Sequence, residues 1–254
     1  MNSSDSQEKS LSSLQTDSSS PQLDTSSAQS SASSAQSDSF SQKPDDGIRV
    51  LVADASHERY VDTILETITA AAKKRGSGIA SRTHEYVAQK MRERKAVIAL
   101  DEHDNFAGFC YIESWEHKQY VANSGLIVDP RYRGHHLATR IKEVAFTLSR
   151  LRWPNAKLFG LTSQIAVMKI NTKLGYVPVT FAQLTHDDAY WAGCGTPEAP
   201  KCINCDILAR TGRKYCICTA MLFDPKDHVG EPLPVQLPDD VVKMAQEAAK
   251  KNLR

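Results

Sequence analysis

Residues 129–140 read Asp-Pro-Arg-Tyr-Arg-Gly-His-His-Leu-Ala-Thr-Arg, a basic turn centred on Gly134. An apolar run over 124–128 enters it as a strand. After it, Leu137, Ile141, Val144, Ala145, Leu148 and Leu151 recur at helical spacing on one face. A strand that feeds a glycine-containing turn at a helix start aims free backbone N–H groups, and the positive end of the helix dipole, at one spot. Arg131 and Arg133 add fixed positive charge beside it. The chemistry suited to such a turn is capture of a pyrophosphate, and hence of a nucleotide-like cofactor. The same residues can also make an ordinary surface turn, and the elements after the helix decide between the two.

A strand over 158–162 leads to Ser163, a short helix over 165–174, Gly175-Tyr176 and a further strand over 177–181. In this order, with Arg131-Tyr-Arg-Gly134-His-His136 and Lys173-Leu-Gly-Tyr176 as its two signatures, residues 48–181 resemble the GNAT family of acyl-coenzyme A N-acyltransferases. The resemblance implies an α/β (α+β) fold: a central mixed, mostly antiparallel sheet, splayed at the cofactor site and flanked by helices. It implies acetyl-CoA as cosubstrate, its pantetheine paired with the backbone of Ile127 and Val128. The N–H groups of Arg133, Gly134, His135, His136, Leu137, Ala138 and Thr139 would hold the pyrophosphate. His136 departs from the Gly or Ala usual there, whereas Ala138 stays small.

Acyl transfer to an amine needs the amine neutral, the carbonyl polarised and the leaving thiolate protonated. An aliphatic ammonium has a pKa of roughly 10, so a carboxylate or His must take its proton, directly or through water. Glu113, at the end of a strand, is the first candidate in chain order; His117 and Glu116 in the next turn are rivals. Many enzymes of this fold carry a tyrosine as general acid at the position of Asn171, and an amide has no proton to give. Water or Tyr176 is left for that task. Within the family the likeness is to the acetyltransferase domain of N-acetylglutamate synthases, carried by Gly78-Ile-Ala-Ser-Arg82-Thr83, by the 158–162 strand and by Gly175-Tyr-Val-Pro-Val179. It implies Arg82 as a bidentate clamp for a substrate carboxylate, with Thr162 or Ser163 donating to the same group. The bland alternative for Arg82 is an ion pair with Glu85, three residues on.

These residues need elements to hold them. Residues 48–53 read as a first strand. Val61, Ile64, Ile68 and Ala72 form one face of a helix over 59–74, ended by Gly76 or Gly78. Thr83 is suited to cap a second helix. Residues 95–100 and 106–115 read as strands joined by the polar turn 101–105, and 118–128 as the next strand. Residues 1–46 are a different material: Ser fills 18 of the first 42 positions, with almost no large apolar groups, so this tail is expected to be disordered. The domain then runs over 47–185, a Cys-rich extension over 186–225, and a linker with a C-terminal helix over 226–254.

Five cysteines, Cys194, Cys202, Cys205, Cys216 and Cys218, fall in the extension with spacing C-x7-C-x2-C-x10-C-x-C. Clustered thiols in a cytosolic chain favour a metal, and four can surround one structural zinc. Free buried thiols or a redox pair are the alternatives. Cys110, between Phe109 and Tyr111, reads as an inert packing residue.

With 31 basic and 30 acidic residues the formal net charge is +1, which gives nucleic acid or an acidic membrane no general attraction. No apolar run reaches the roughly 20 residues of a membrane span and no signal peptide is visible, so the expected location is the cytoplasm. The first functional expectation is acetyl transfer to the amine of a small, glutamate-like amino acid. A protein or peptide acceptor is the second, and a non-catalytic, zinc-stabilised coenzyme A-binding module the third. The expected partner is the small-molecule substrate, with a homodimer left open.

Overall fold

The structure is a computed structural model, and it describes residues 46–75, 81–194, 211 and 218–252. Gly78, Ile79, Cys202, Cys205, Cys216 and nearly all of the Ser-rich stretch lie outside the described residues. Asp46, placed with that stretch by composition, is described: it accepts two hydrogen bonds from Arg140 at 2.9 and 3.1 Å.

Seven strands form one sheet in the order β1-β2-β3-β4-β5-β7-β6. They are β1 (Arg49–Val52), β2 (Ala96–Leu100), β3 (Phe106–Trp115), β4 (Tyr120–Val128), β5 (Lys157–Thr162), β6 (Val177–Val179) and β7 (Thr219–Phe223). Neighbours pair antiparallel except β4 with β5, which run parallel. The mixed, mostly antiparallel sheet expected from the resemblance is therefore present. One strand differs from the sequence reading. β7 follows directly on the cysteine cluster, within the stretch read as a Cys-rich extension packed on the domain, and enters the main sheet between β5 and β6. Its Ala220-Met-Leu-Phe223 run is buried on both faces, so it shows no alternation to read.

Helices cover both faces. On one side lie α1 (Val61–Arg75) and α2 (His84–Arg92), the latter capped by Thr83, whose hydroxyl accepts from the N–H of Tyr86 at 3.2 Å. Ile64, Ile68, Val87 and Met91 pack there against Ile98, Phe109, Tyr111 and Ile127. On the other side lies α3 (Leu137–Arg152), whose Leu137, Ile141, Ala145 and Leu148 meet Cys110, Ile112, Val121 and Leu158. Strand alternation divides β3 accordingly: Phe109 and Tyr111 face α1 and α2, whereas Cys110 and Ile112 face α3. Beyond β5 come α4 (Ile165–Lys173) and the single turn α5 (Asp188–Trp191), while the C-terminal α6 (Asp239–Asn252) packs Val241 and Ala245 on the α3 side. Among the described residues no helix is long and apolar enough to cross a membrane.

Candidate active site

The sheet parts where β4 leaves β5. Their parallel pairing covers only Tyr120–Ala122 against Lys157–Phe159, yet β4 runs on to Val128. Over the same stretch β4 stays paired with β3, through Ile127 with Phe109 and Val128 with Gly108. A register shift between Phe109 and Tyr111 marks a bulge, and Gly125 sits in it at φ +66°. No L side chain fits this spot: a Cβ on Gly125 would lie 2.6 Å from the Tyr111 ring. The β5-facing edge of β4 beyond Ala122 thus has no strand partner among the described residues.

That open edge runs straight into the basic turn. Asp129 caps a short 3-10 turn (Pro130–Tyr132) and is clamped by both ends of the Arg131 guanidinium at 3.1 Å. The Tyr132 hydroxyl donates to Asp101 in the β2–β3 turn at 2.6 Å. Side chains therefore anchor the turn from outside. Among the described residues no hydrogen bond engages the backbone N–H groups of Gly134, His135, His136, Leu137 or Ala138, whereas those of Thr139 and Arg140 bond to the His136 carbonyl. Gly134 takes φ +92° with open space on its Cβ side. His136 takes the left-handed φ of +54° at the α3 N-cap, which explains why glycine suits this position and what the histidine costs. Arg133, Gly134, His135 and His136 are exposed, Ala138 and Thr139 half-buried, Leu137 buried. An anion such as a pyrophosphate fits this turn, because among the described residues five backbone N–H groups at the start of a 16-residue helix have no partner and nothing lies within 4 Å of the Cβ side of Gly134.

On the α1/α2 face of the parted strands lies a polar cluster that sequence reading only half named. Arg82, Tyr86 and Lys90 follow at four-residue steps along and just before α2. Tyr111 and Glu113 lie two apart on β3. Glu113 accepts from the Tyr86 hydroxyl at 2.9 Å and pairs with the Lys90 ammonium, which is buried. Lys90 also stands 4.6 Å over the Tyr86 ring. Arg82 donates from Nε to the Tyr111 hydroxyl at 2.5 Å and stacks beside both tyrosine rings. Glu85, the partner proposed for Arg82, pairs with Arg92 instead, so no carboxylate holds Arg82 among the described residues. Burial pushes the Tyr86 phenol well above its usual range, helped by Tyr111 and the Glu113 carboxylate. Burial also raises Tyr111, although Arg82 opposes it. Tyr86 and Lys90 went unread because a tyrosine and a lysine in a helix carry no mark of the strand they will face. Their signal was the four-residue step from Arg82 through otherwise core-facing positions.

The remaining candidates lie elsewhere. Glu116 anchors the 185–187 segment: its carboxylate accepts from the Thr185 hydroxyl at 2.8 Å and from the His186 N–H. His117 is exposed in the β3–β4 turn, at the Tyr120 end of β4 and thus away from Gly134. There it borders a cavity of about 390 Å³ with Lys118, Trp153 and Lys226. Thr162 ends β5, its hydroxyl accepting from the Gln164 N–H at 3.0 Å, and Ser163 follows half-buried. Asn171 is 2% exposed, its amide nitrogen 3.6 Å from the Met221 sulfur and its Oδ1 without a partner among the described residues. Tyr176 is buried on the α3 side between Phe146 and Phe223, and burial drives its phenol far upward. Of the five clustered cysteines, Cys218 is half-buried beside β7 and Cys194 ends a 3-10 turn after α5. The other three, and with them the zinc expectation, fall outside the described residues. The described residues alone bring no metal-ligating group together.

No family model and no curated protein matches this sequence. Among solved structures the chain is similar to N-acetylglutamate synthase from Neisseria gonorrhoeae in complex with coenzyme A and N-acetyl-glutamate, with 11% identity and a TM-score of 0.49 over 70% of this chain and 35% of that one. It is also similar to Rv2747 from Mycobacterium tuberculosis in complex with CoA and NLQ, with 14% identity and a TM-score of 0.49 over 69% of this chain and 98% of that one. A third likeness is to yncA of Salmonella typhimurium, described as a putative acetyltransferase with its cofactor acetyl-CoA, at 12% identity and a TM-score of 0.47, over 73% and 98% of the two chains. The chain spans about a third of the length of the synthase.

Proposed function

We propose that this protein is a GNAT-type N-acyltransferase that moves an acetyl group from acetyl-CoA to the amine of a small acidic amino acid resembling glutamate. One observation carries the reading. Among the described residues, the edge of β4 beyond Ala122 has no strand partner on the β5 side and runs directly into a turn whose N–H groups from Gly134 to Ala138 make no hydrogen bond. An extended pantetheine arm needs such an edge for its amides, and a diphosphate needs such donors, in this order along the chain. The backbone of Ile127 and Val128 holds the arm, and Arg133 to Thr139 hold the diphosphate.

On the α2 face, Arg82 offers a guanidinium with no carboxylate partner among the described residues, suited to a substrate carboxylate. Glu113 stands in the same cluster as the group that accepts the amine's proton. A carboxylate has more acceptor sites than its bonds to Lys90, the Tyr86 hydroxyl and the Ser114 N–H occupy, so one stays available. Thr162 and Ser163, at the end of the strand across the gap, complete the acceptor site. Structural zinc at the clustered cysteines stays part of the proposal, as a scaffold with no role in the transfer.

The test is a thermal melt with and without CoA, followed by thiol release from acetyl-CoA across a panel of amines that includes L-glutamate and short peptides. Stabilisation by CoA and thiol release with L-glutamate are expected. Arg82→Gln should then raise the KM for glutamate about 10- to 100-fold, the worth of a hydrogen bond to a charged group. Release with peptides alone would move the acceptor to the second reading. CoA stabilisation without release on any amine would leave a binding module.

A further inference from the structure

The α3 face of the sheet holds a lysine that the mechanism above does not use. Lys142, in the second turn of α3, is 2% exposed, and among the described residues no carboxylate pairs with it. Cys110 flanks it from β3, at the bulge, where its thiol donates to the Ser124 carbonyl of β4 at 3.4 Å. On the other flank its ammonium stands 5.1 Å from the centroid of the Tyr176 ring, which packs on Phe223 of β7. In the sheet order, β4 and β5 lie between these two flanks. The Cys110 flank lies at the stretch of β4 that has left β5, whereas the Tyr176 flank packs on Phe223, which pairs with Leu158 where β4 and β5 are still joined. Three more buried polar atoms have no hydrogen-bond partner among the described residues: the Tyr176 hydroxyl, Asn171 Oδ1 and Asn123 Oδ1. An interior normally satisfies such atoms.

We infer that Lys142 is the catalytic residue that stabilises and protonates the departing thiolate, a role that rests on the acyltransferase reading. A buried cation without an anion is costly, and acyl transfer forms transient anions for it to meet, the oxyanion of the tetrahedral intermediate and then the thiolate that leaves it. The acceptor's nitrogen lone pair forms the C–N bond, and the carbon–sulfur bond breaks with its electron pair on sulfur. Sulfur then takes a proton from the Lys142 ammonium. The amine's surplus proton leaves through Glu113 or water, and solvent reprotonates Lys142. This assignment supplies the acid that Asn171 cannot be. It also fits the chemistry of the group, because burial lowers the lysine to about 8, close to the range of an ordinary thiol. The titratable groups facing it are few: Cys110 from β3, itself pushed up to about 11 by burial, and Tyr176, with Glu143 next along α3.

The experiment needs no acceptor. The ultraviolet absorbance of the thiolate is titrated for CoA bound to the wild type, to Lys142→Met and to Lys142→Gln, each against the complex with desulfo-CoA. The bound thiol should ionise about 1–3 pH units lower in the wild type than in either variant, the effect of a nearby opposite charge. Identical titrations in all three proteins overturn the assignment. Should neither variant fold, bound and free CoA are compared on the wild type alone, and an unshifted thiol overturns it equally. Failure of the broader reading looks different: the wild type then shows no thermal stabilisation by CoA at all.

Discussion

Glu113 and Lys90 form a pair in which each side chain makes the other's burial tolerable. The Lys90 side chain is 6% exposed and that of Glu113 16%. Glu113→Gln leaves the ammonium buried without its anion, and breaking one side of such a pair costs about 3–5 kcal/mol. Adding Lys90→Met removes the stranded charge, so the double variant should recover most of that loss. Urea unfolding of the wild type, the two single variants and the double variant measures this. Strict additivity would mean that the two groups are not coupled. A fall in turnover of Glu113→Gln is therefore interpretable only beside its stability. At this scale the sequence was legible where chemistry forces a residue type: a carboxylate closing a strand, an arginine before a helix, a glycine between basic residues. Lys90 and Lys142 were not legible, since a lysine in an amphipathic helix ordinarily faces water and only the fold decides that these two do not.

Among the elements, β4 shapes the site, and Gly125 shapes β4. Its φ of +66° and the 2.6 Å approach of the Tyr111 ring leave no room for a methyl group. Gly125→Ala should cost about 1–3 kcal/mol in stability through backbone strain and displacement of the ring. Because Tyr111 holds Arg82, the same change should weaken acceptor binding more than CoA binding. Calorimetry with each ligand separates the two effects, and an unaltered melting curve would mean that the bulge does not depend on glycine. Apolar segments set off by the polar turn at 101–105 marked β2, β3 and β4 to within a few residues, and the helical repeat marked α3. The start of α1 was harder to read. Asp54 caps a 3-10 segment (Ala55–Tyr60) that precedes the α-helix, and its first residues share the helix's composition. The bulge itself was not readable from residue types, nor was the place of β7 between β5 and β6, because strand neighbours far apart in the chain are chosen by packing.

Across the whole molecule the sheet separates two chemistries. The Arg82, Tyr86, Lys90 and Glu113 cluster proposed to recognise the acceptor lies on the α2 face, and a buried ammonium lies on the α3 face. Such a buried cation should register in global stability. Burial holds Lys142 at about 8, below the roughly 10.4 of a lysine in the unfolded chain. At neutral pH both states are protonated, and the folded state bears the full penalty, on the order of 3 kcal/mol at about 1.4 kcal/mol per unit. Between about pH 8 and 10.4 the unfolded chain binds more protons than the folded one, so this contribution to stability rises with pH. Cys110 works in the opposite sense. Its thiol is raised to about 11 in the fold, so its contribution falls as pH climbs above the value of the unfolded thiol. The informative quantity is therefore the difference between the wild type and Lys142→Met, in which the cysteine largely cancels. Urea unfolding from about pH 7 to 9.5, a window spanning the folded-state value, should find the Met variant more stable at the low end, with its advantage shrinking steadily as the pH rises. An advantage that stays constant with pH would mean that Lys142 is not a buried titrating amine. A core that tolerates such a charge in the absence of ligand gives up stability for it, and a departing thiolate is the partner that makes the charge useful.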